Sequence, residues 1–224
     1  MENPGRLEET TDSAPSPPPS SEGEGHINVD HVPPPPREAS SDSDLHVACK
    51  RGKLQQVQHL VSSAQTDVNA EGRVGRTPVM LAARCGHDEV FHFLVTNGSD
   101  VTRLSNDDDN ILHFACLGGN IEIVKYILSQ NFIDIDSRGK FGRTPVMKAA
   151  WGGHVSLFDL LERVGADLSL LSEQGDTILH LACHRDNVPM VKHILSKHIV
   201  GVNCRGMNGR TPVMIAAMYG HRAC

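Results

Sequence analysis

Several signatures that would make this chain an enzyme, a membrane protein or a metalloprotein are missing. No Gly-x-Ser-x-Gly, no phosphate-cradling glycine-rich loop and no His-Glu-x-x-His occurs among its 224 residues, so catalysis of the commonest kinds has no starting point. No Cys-x-x-Cys pair exists, and His184, His193 and His198 lack zinc-site spacing, so no metal and no cofactor is expected. No apolar stretch approaches the roughly 18–20 residues a membrane-spanning helix requires. No basic region followed by an apolar run opens the chain, so no secretory signal is expected. The six cysteines do not form close pairs, a usage that fits a reducing compartment, the cytosol or the nucleus. There is one tryptophan and there are two tyrosines.

Charge and proline are unevenly spread. Residues 1–44 carry ten acidic and two basic residues, most of the prolines and almost no large apolar side chains. Such a segment buries too little apolar surface to offset its chain entropy, and residues 1–42 are expected to be a disordered acidic tail. Within it Pro17–Pro19 and Pro33–Pro36 favour extended polyproline II backbone, and Ser21 and Ser41 have acidic residues three positions on, as acidophilic kinases accept. The remaining 180 residues hold 17 acidic and 19 basic residues, so nothing global draws them to a polyanion.

What the chain has in abundance is self-similarity. Gly-Arg-Thr-Pro-Val-Met occurs at Gly75–Met80, Gly142–Met147 and Gly209–Met214, each 67 residues after the last. Between these copies lie Leu-His-Val-Ala-Cys from Leu45, Leu-His-Phe-Ala-Cys from Leu112 and Leu-His-Leu-Ala-Cys from Leu179. Ser43, Thr77, Asn110, Thr144, Thr177 and Thr211 are then equivalent, at alternating spacings of 34 and 33. A period in this range means one supersecondary unit stacked repeatedly, which shifts the functional question from a pocket to a surface.

Each unit reads as two helices. Thr77 suits a helix cap and Pro78 suits the first helical position, where its missing N–H costs nothing. Val79, Met80, Ala82 and Ala83 make a short apolar helix, and Gly86-His87 breaks it. Glu89 to Val95 form a second helix with an apolar face of Val90, Phe91, Leu94 and Val95. Asn97-Gly98 ends it. The expected units are 43–76, 77–109, 110–143, 144–176, 177–210 and a partial 211–224.

The recurring Thr-Pro-Val-Met-x-Ala-Ala-x-x-Gly-His at Thr77–His87, Thr144–His154 and Thr211–His221, with Gly-Ala-Asp at Gly165–Asp167, resembles the ankyrin-repeat family over residues 43–224. The resemblance implies an all-α solenoid of helix-turn-helix units joined by projecting β-hairpin loops. Alternate units lack Thr-Pro, and the Thr-Pro units carry Met where the family has His, as though a two-unit block had been duplicated. His46, His113 and His180 match the family's first-helix histidine, which hydrogen-bonds neighbouring loops, and His87, His154 and His221 its turn histidine. Cys49, Cys116 and Cys183 stand at a small apolar position of the first helix. The sixth unit ends at Cys224 before a second helix. The expectation drawn from this is that residues 211–224 are frayed or that the chain is a shortened form of a longer protein.

The resemblance further implies a protein partner lying along the concave face of loop tips and first helices. The candidate contact residues are Arg84, Leu117, Phe141, Trp151, His184, Arg185, Met218 and Tyr219, rimmed also by Arg143. Trp, Tyr and Arg favour such a role because they bury large area with few rotamers and keep a polar handle. Val74, Phe141 and Met207 mark the loop tips of the Thr-Pro units, and Asp107-Asp108-Asp109 reads as a solvated loop edge. Asp42, Arg76, Asp109, Arg143, Asp176 and Arg210 alternate in sign before each first helix, suggesting a charge ladder between units. Asn69 and Asn203 resemble the loop asparagines that some members present to an asparaginyl hydroxylase. The reading that results is a monomeric, non-enzymatic adaptor or scaffold of the cytoplasm or nucleus, with no membrane or nucleic-acid partner. A nucleotide- or RNA-sensing domain using Trp151 and basic groove residues, or a truncated regulatory form of a larger protein, is the alternative.

Overall fold

The computed structural model describes residues 41–63 and 65–221. The acidic tail expected over residues 1–42 therefore falls almost wholly outside the described residues, as do its proline runs and Ser21. Eleven α-helices occur among the described residues, and they alternate between two rows. The inner row is α1 (Asp44–Lys50), α3 (Pro78–Cys85), α5 (Ile111–Gly118), α7 (Pro145–Gly152), α9 (Ile178–His184) and α11 (Pro212–Met218). The outer row is α2 (Leu54–Val61), α4 (Asp88–Thr96), α6 (Ile121–Ser129), α8 (Val155–Arg163) and α10 (Val188–Ser196). Each inner helix packs on its outer partner and on the next inner helix, as a quasi-one-dimensional stack requires.

Small side chains let these helices approach. Ala48-Cys49, Ala82-Ala83, Ala115-Cys116, Ala149-Ala150 and Ala182-Cys183 are all buried between the rows, while Phe91, Ile127, Phe158, Leu161 and Ile194 fill the space beside the outer helices. Burial in this apolar setting pushes the Cys49 thiol up to about 12 and raises Cys116 as well, so both behave as inert packing groups. The helix starts follow the expected chemistry only in part. Asn110 Oδ1 accepts the His113 amide at 3.1 Å and Thr211 Oγ1 the Met214 amide at 3.4 Å. The hydroxyls of Thr77 and Thr144 are instead buried without a hydrogen-bond partner, so there the proline carries the helix start.

Hydrogen bonds between units set the register. In α1, α5 and α9 a buried imidazole accepts the backbone amide of its own helix cap, from Ser43, Asn110 and Thr177. Its other nitrogen donates to the carbonyl of Arg76, Arg143 and Arg210 in the following loop, at 3.0, 3.0 and 3.1 Å. The Thr-Pro units have no such histidine, and Thr77 turns its amide toward Met80 Sδ at 3.4 Å. The exposed carbonyl ends of the inner helices are met by the next unit. His87 donates to Lys50, His154 to Leu117 and His221 to His184, while Asn187 Nδ2 donates to Trp151. These are the groups a helix C-terminus otherwise leaves unsatisfied.

The projecting loops are hairpin turns whose flanking residues, such as Gly72 and Arg76, are extended, but no β-strand occurs among the described residues. One backbone bond closes each, for example Gly72 N to Arg76 O and Gly139 N to Arg143 O. At the tips Val74, Phe141 and Asn208 take left-handed backbone, φ 60°, 60° and 54°. This conformation is uncommon for side-chain-bearing residues. It turns the Val74 and Phe141 carbonyls toward the amides of Asn106 and Glu173 in the next loop, both at 3.0 Å. The equivalent tip residue of the last loop is thus Asn208, one position after the expected Met207. Gly139 shows why glycine precedes the turn: a Cβ there would strike Asp109 Oδ1 and the His113 ring.

The sixth unit is helical over Pro212–Met218 rather than frayed, and residues 222–224 lie outside the described residues. Its outward side is open: Val213 and Met214 are 59 % and 54 % exposed, whereas Val79 and Val146 are fully buried. No helix is long and apolar enough to cross a membrane among the described residues.

Burial lowers the His113 pKa from 6.5 to about 4; the Asp109 carboxylate opposes that shift and Lys148 adds to it. The unfolded chain then takes up a proton that the folded chain refuses between about pH 6.5 and about pH 4, so stability falls as pH drops through that window. Urea unfolding followed by circular dichroism should show the midpoint falling across it. In His113→Asn, less stable throughout, the fall should be shallower. A midpoint unchanged by pH would contradict the buried neutral imidazole.

Candidate functional site

The inner helices carry the candidate residues on their C-terminal halves, because the Ala-Ala or Ala-Cys pair faces the core and the next two positions turn away from it. Trp151, near the end of α7, is half-buried and packs on the edge of the core. Its ring lies 4.4 Å from that of His184 at the end of α9, and His184 lies 4.2 Å from Tyr219, which caps α11. The Arg143 guanidinium sits 4.5 Å from the centre of the indole and 5.3 Å from that of Phe141, and Arg185 lies 5.6 Å from the indole. Arg143, Trp151, His184 and Tyr219 thus form a continuous row across three inner helices, with neighbouring rings tilted by 36° and 45°. Phe141, 43 % exposed, stands at its edge. Cation–π contacts of this kind contribute about 0.5–1 kcal/mol at exposed sites.

The structure brings together Phe141, Arg143, Trp151, His184, Arg185 and Tyr219. Leu117 is half-buried on α5, one helix before the stack, and Met218 is exposed on α11 beside Tyr219. Arg84 is exposed on α3 and lines a separate cleft with Lys50 and Arg76. Burial pushes the His184 pKa down, and the nearby Arg143 and Arg185 charges act in the same direction. The positive charge of the stack therefore belongs to its arginines at neutral pH.

Among the described residues no two of the alternating charges come within ion-pair distance, although the Asp176 and Asp109 carboxylates both act favourably on the Arg143 charge. Each aspartate holds the backbone of the next loop instead: Asp42 accepts from Arg73 N, Asp109 from Lys140 N and Asp176 from Met207 N, at 2.9, 2.9 and 3.0 Å. Arg143 is spent on Trp151 and Phe141, and Arg76 lies 5.6 Å from the Phe114 ring. Arg138, outside the alternation, bridges loops by donating to the Gly142 and Leu171 carbonyls.

Asp107-Asp108-Asp109 is not uniformly a solvated edge. Asp109 is buried, and its Oδ2 lies 2.8 Å from Lys148 Nζ, the two side chains being 9 % and 7 % exposed. Asp107 pairs with Lys140 at 3.0 Å. Burial lowers the Lys148 pKa and Asp109 raises it back. Sequence reasoning missed this pair, although a signal was present: Lys148 occupies the position of Leu81 and Ile215, and a lysine on an apolar stripe needs a buried counter-ion. Asn69 is engaged at both ends, its Nδ2 donating to Gly98 O at 3.1 Å and its Oδ1 accepting from Asp100 N at 2.7 Å. Asn203 is exposed.

The comparisons with known proteins agree with this architecture. The family described as Ankyrin repeats (3 copies) matches residues 36–105, 91–172 and 146–224. The chain belongs to the ankyrin-repeat family. It is 33 % identical over 139 residues to a putative palmitoyltransferase ZDHHC13 of Danio rerio, covering 62 % of this chain and 21 % of the relative. It is 28 % identical over 182 residues to the palmitoyltransferase AKR1 of Lachancea kluyveri, 80 % of this chain and 20 % of that protein. A nuclear factor NF-kappa-B p105 subunit of Gallus gallus is 28 % identical over 158 residues, 68 % of this chain and 16 % of its own length. The chain thus spans about a fifth of the length of these relatives.

The buried pair sets up an asymmetric test. Asp109→Ala leaves Lys148 buried without its carboxylate and removes the acceptor of the Lys140 amide, and should cost about 3–5 kcal/mol. Asp109→Asn/Lys148→Leu removes both charges at once, restores the residue type of Leu81, keeps an acceptor for the Lys140 amide and should cost about 1 kcal/mol or less. Guanidinium unfolding of the two variants compares them directly, and equal losses would mean the pair acts only through its Coulomb attraction.

Proposed function

We propose that this chain is a binding module that holds a segment of another protein against the inner-helix face centred on Trp151. The observation that carries this reading is the half-exposed stack of Arg143, Trp151, His184 and Tyr219, flanked by exposed Phe141 and Met218. Each ring is supported by its neighbours before any partner arrives, so little ordering entropy is lost on contact. The mechanism is presentation of a preformed surface, without covalent chemistry on this chain. The transferase activity in two of the relatives' names is not carried over, because what aligns with them here is the helical stack. A monomer acting in the cytosol or nucleus fits the inert buried thiols of Cys49 and Cys116.

Beads carrying the intact chain, Trp151→Ala or Arg185→Glu test this against a cell extract at two salt concentrations. Trp151→Ala should lose the captured partner while its unfolding free energy falls by only about 1–2 kcal/mol, less than for a fully buried ring. Arg185→Glu should weaken capture with no measurable loss of stability. Capture through the stack should survive the higher salt, whereas a nucleotide or RNA held by phosphate contacts would be released steeply. Unchanged capture by Trp151→Ala would defeat the proposal.

A further inference from the structure

The duplicated blocks differ most where Lys50, Arg73, Arg76 and Arg84 converge on a cleft of about 380 Å³ over the first two units. Its floor is Leu81, Val74 and Cys85, and its single carboxylate is Asp42, whose Oδ1 already accepts the Arg73 amide. Sixty-seven residues on, the equivalent positions are Leu117, Lys140, Arg143 and Trp151, over Lys148 and Phe141. There the charges are settled internally: Lys148 on Asp109, Lys140 on Asp107 and Arg143 under the indole. In the first block Leu81 replaces Lys148, Arg84 replaces Trp151, and the sequence has uncharged Ser40 where the second block has Asp107.

The four cations of this cleft have no ion-pair partner among the described residues, whereas Lys140 and Lys148 at the equivalent face of the second block do. Arg76 also keeps its buried Nε without a hydrogen-bond partner. Like charges gathered in a partly enclosed, low-dielectric cleft repel one another and focus a positive potential outward, which an anion entering the cleft relieves. Three of the four, Lys50, Arg73 and Arg84, are exposed and available to a ligand.

We propose that this cleft is a receptor site for the carboxylates of an acidic peptide segment on a partner protein. Arginine forks match carboxylates in two-point geometry. The apolar floor suits the methylene stem of a glutamate, and Asp42 disfavours the denser charge of a phosphate group. The cleft's size suits one or two side chains rather than a folded surface. The site stands on its own cations and does not require the Trp151 contact.

Fluorescein-labelled hexaglutamate, followed by anisotropy against the full chain, is the probe, with unlabelled inorganic tripolyphosphate as competitor. Lys50→Glu/Arg84→Glu should bind the probe at least about tenfold more weakly. Arg163→Glu/Lys192→Glu, which makes the same charge change on the outer helices, should shift it by less than about twofold. Circular dichroism melts should match the intact chain for both, since all four positions are exposed; a Lys50→Gln/Arg84→Gln variant serves if the first does not fold. Trp151→Ala should leave hexaglutamate binding unchanged, which separates this site from the ring stack. Absence of binding, equal weakening by both double variants, or cleft-dependent binding of tripolyphosphate without hexaglutamate would each overturn the proposal.

Discussion

The buried imidazoles of His46, His113 and His180 are the contacts on which the rest of the stack depends. Each takes a proton donor from its own helix start and gives one to the carbonyl of the following loop, so one ring fixes both a helix cap and the position of the next unit. Both roles need the neutral ring, and burial keeps His113 neutral well below ordinary histidine range. Neither nitrogen is left over for other chemistry. A charge or a shorter side chain there would leave a buried amide and a buried carbonyl unsatisfied at once.

Because only alternate units have this histidine, the array is built from two-unit blocks with a division of labour. In each histidine unit the imidazole, with the aspartate just before its helix, presses on the glycine of the loop that closes the same unit, a contact the Thr-Pro units do not repeat. The second surface of each block is free to diverge. In the block from Asp109 to Trp151 two ion pairs take up the lysines, Arg143 packs over the indole with its charge retained, and rings are left exposed. In the block from Asp42 to Arg84 the same positions leave arginines and a lysine exposed. One scaffold thereby displays an aromatic patch and a cationic patch on the same row of helices.

Much of this was legible in the chain itself. The 34- and 33-residue spacings, the Thr-Pro starts and the glycine stops specify helix pairs because they are local rules: a proline fits a first turn and a glycine fits a left-handed cap wherever they occur. The repeat register also located the turn histidines and the small residues between the rows. Trp151 drew attention for a related reason, since it stands where several other units have a polar residue, Lys50, Arg84 and His184.

What the rings and charges touch was decided only by the tertiary structure. The alternating Asp and Arg residues read as partners along the chain, but each aspartate reaches loop amides about thirty residues on, and the Arg143 guanidinium lies 4.5 Å from the centre of an indole. Lys148 and Asp109 are 39 residues apart and meet because stacking superimposes their units. Repeats determine which positions are equivalent, whereas contacts across a stack depend on the distance and angle between units. That spacing is set by packing of small side chains and by hydrogen bonds to the next loop, neither of which is contained in any one unit.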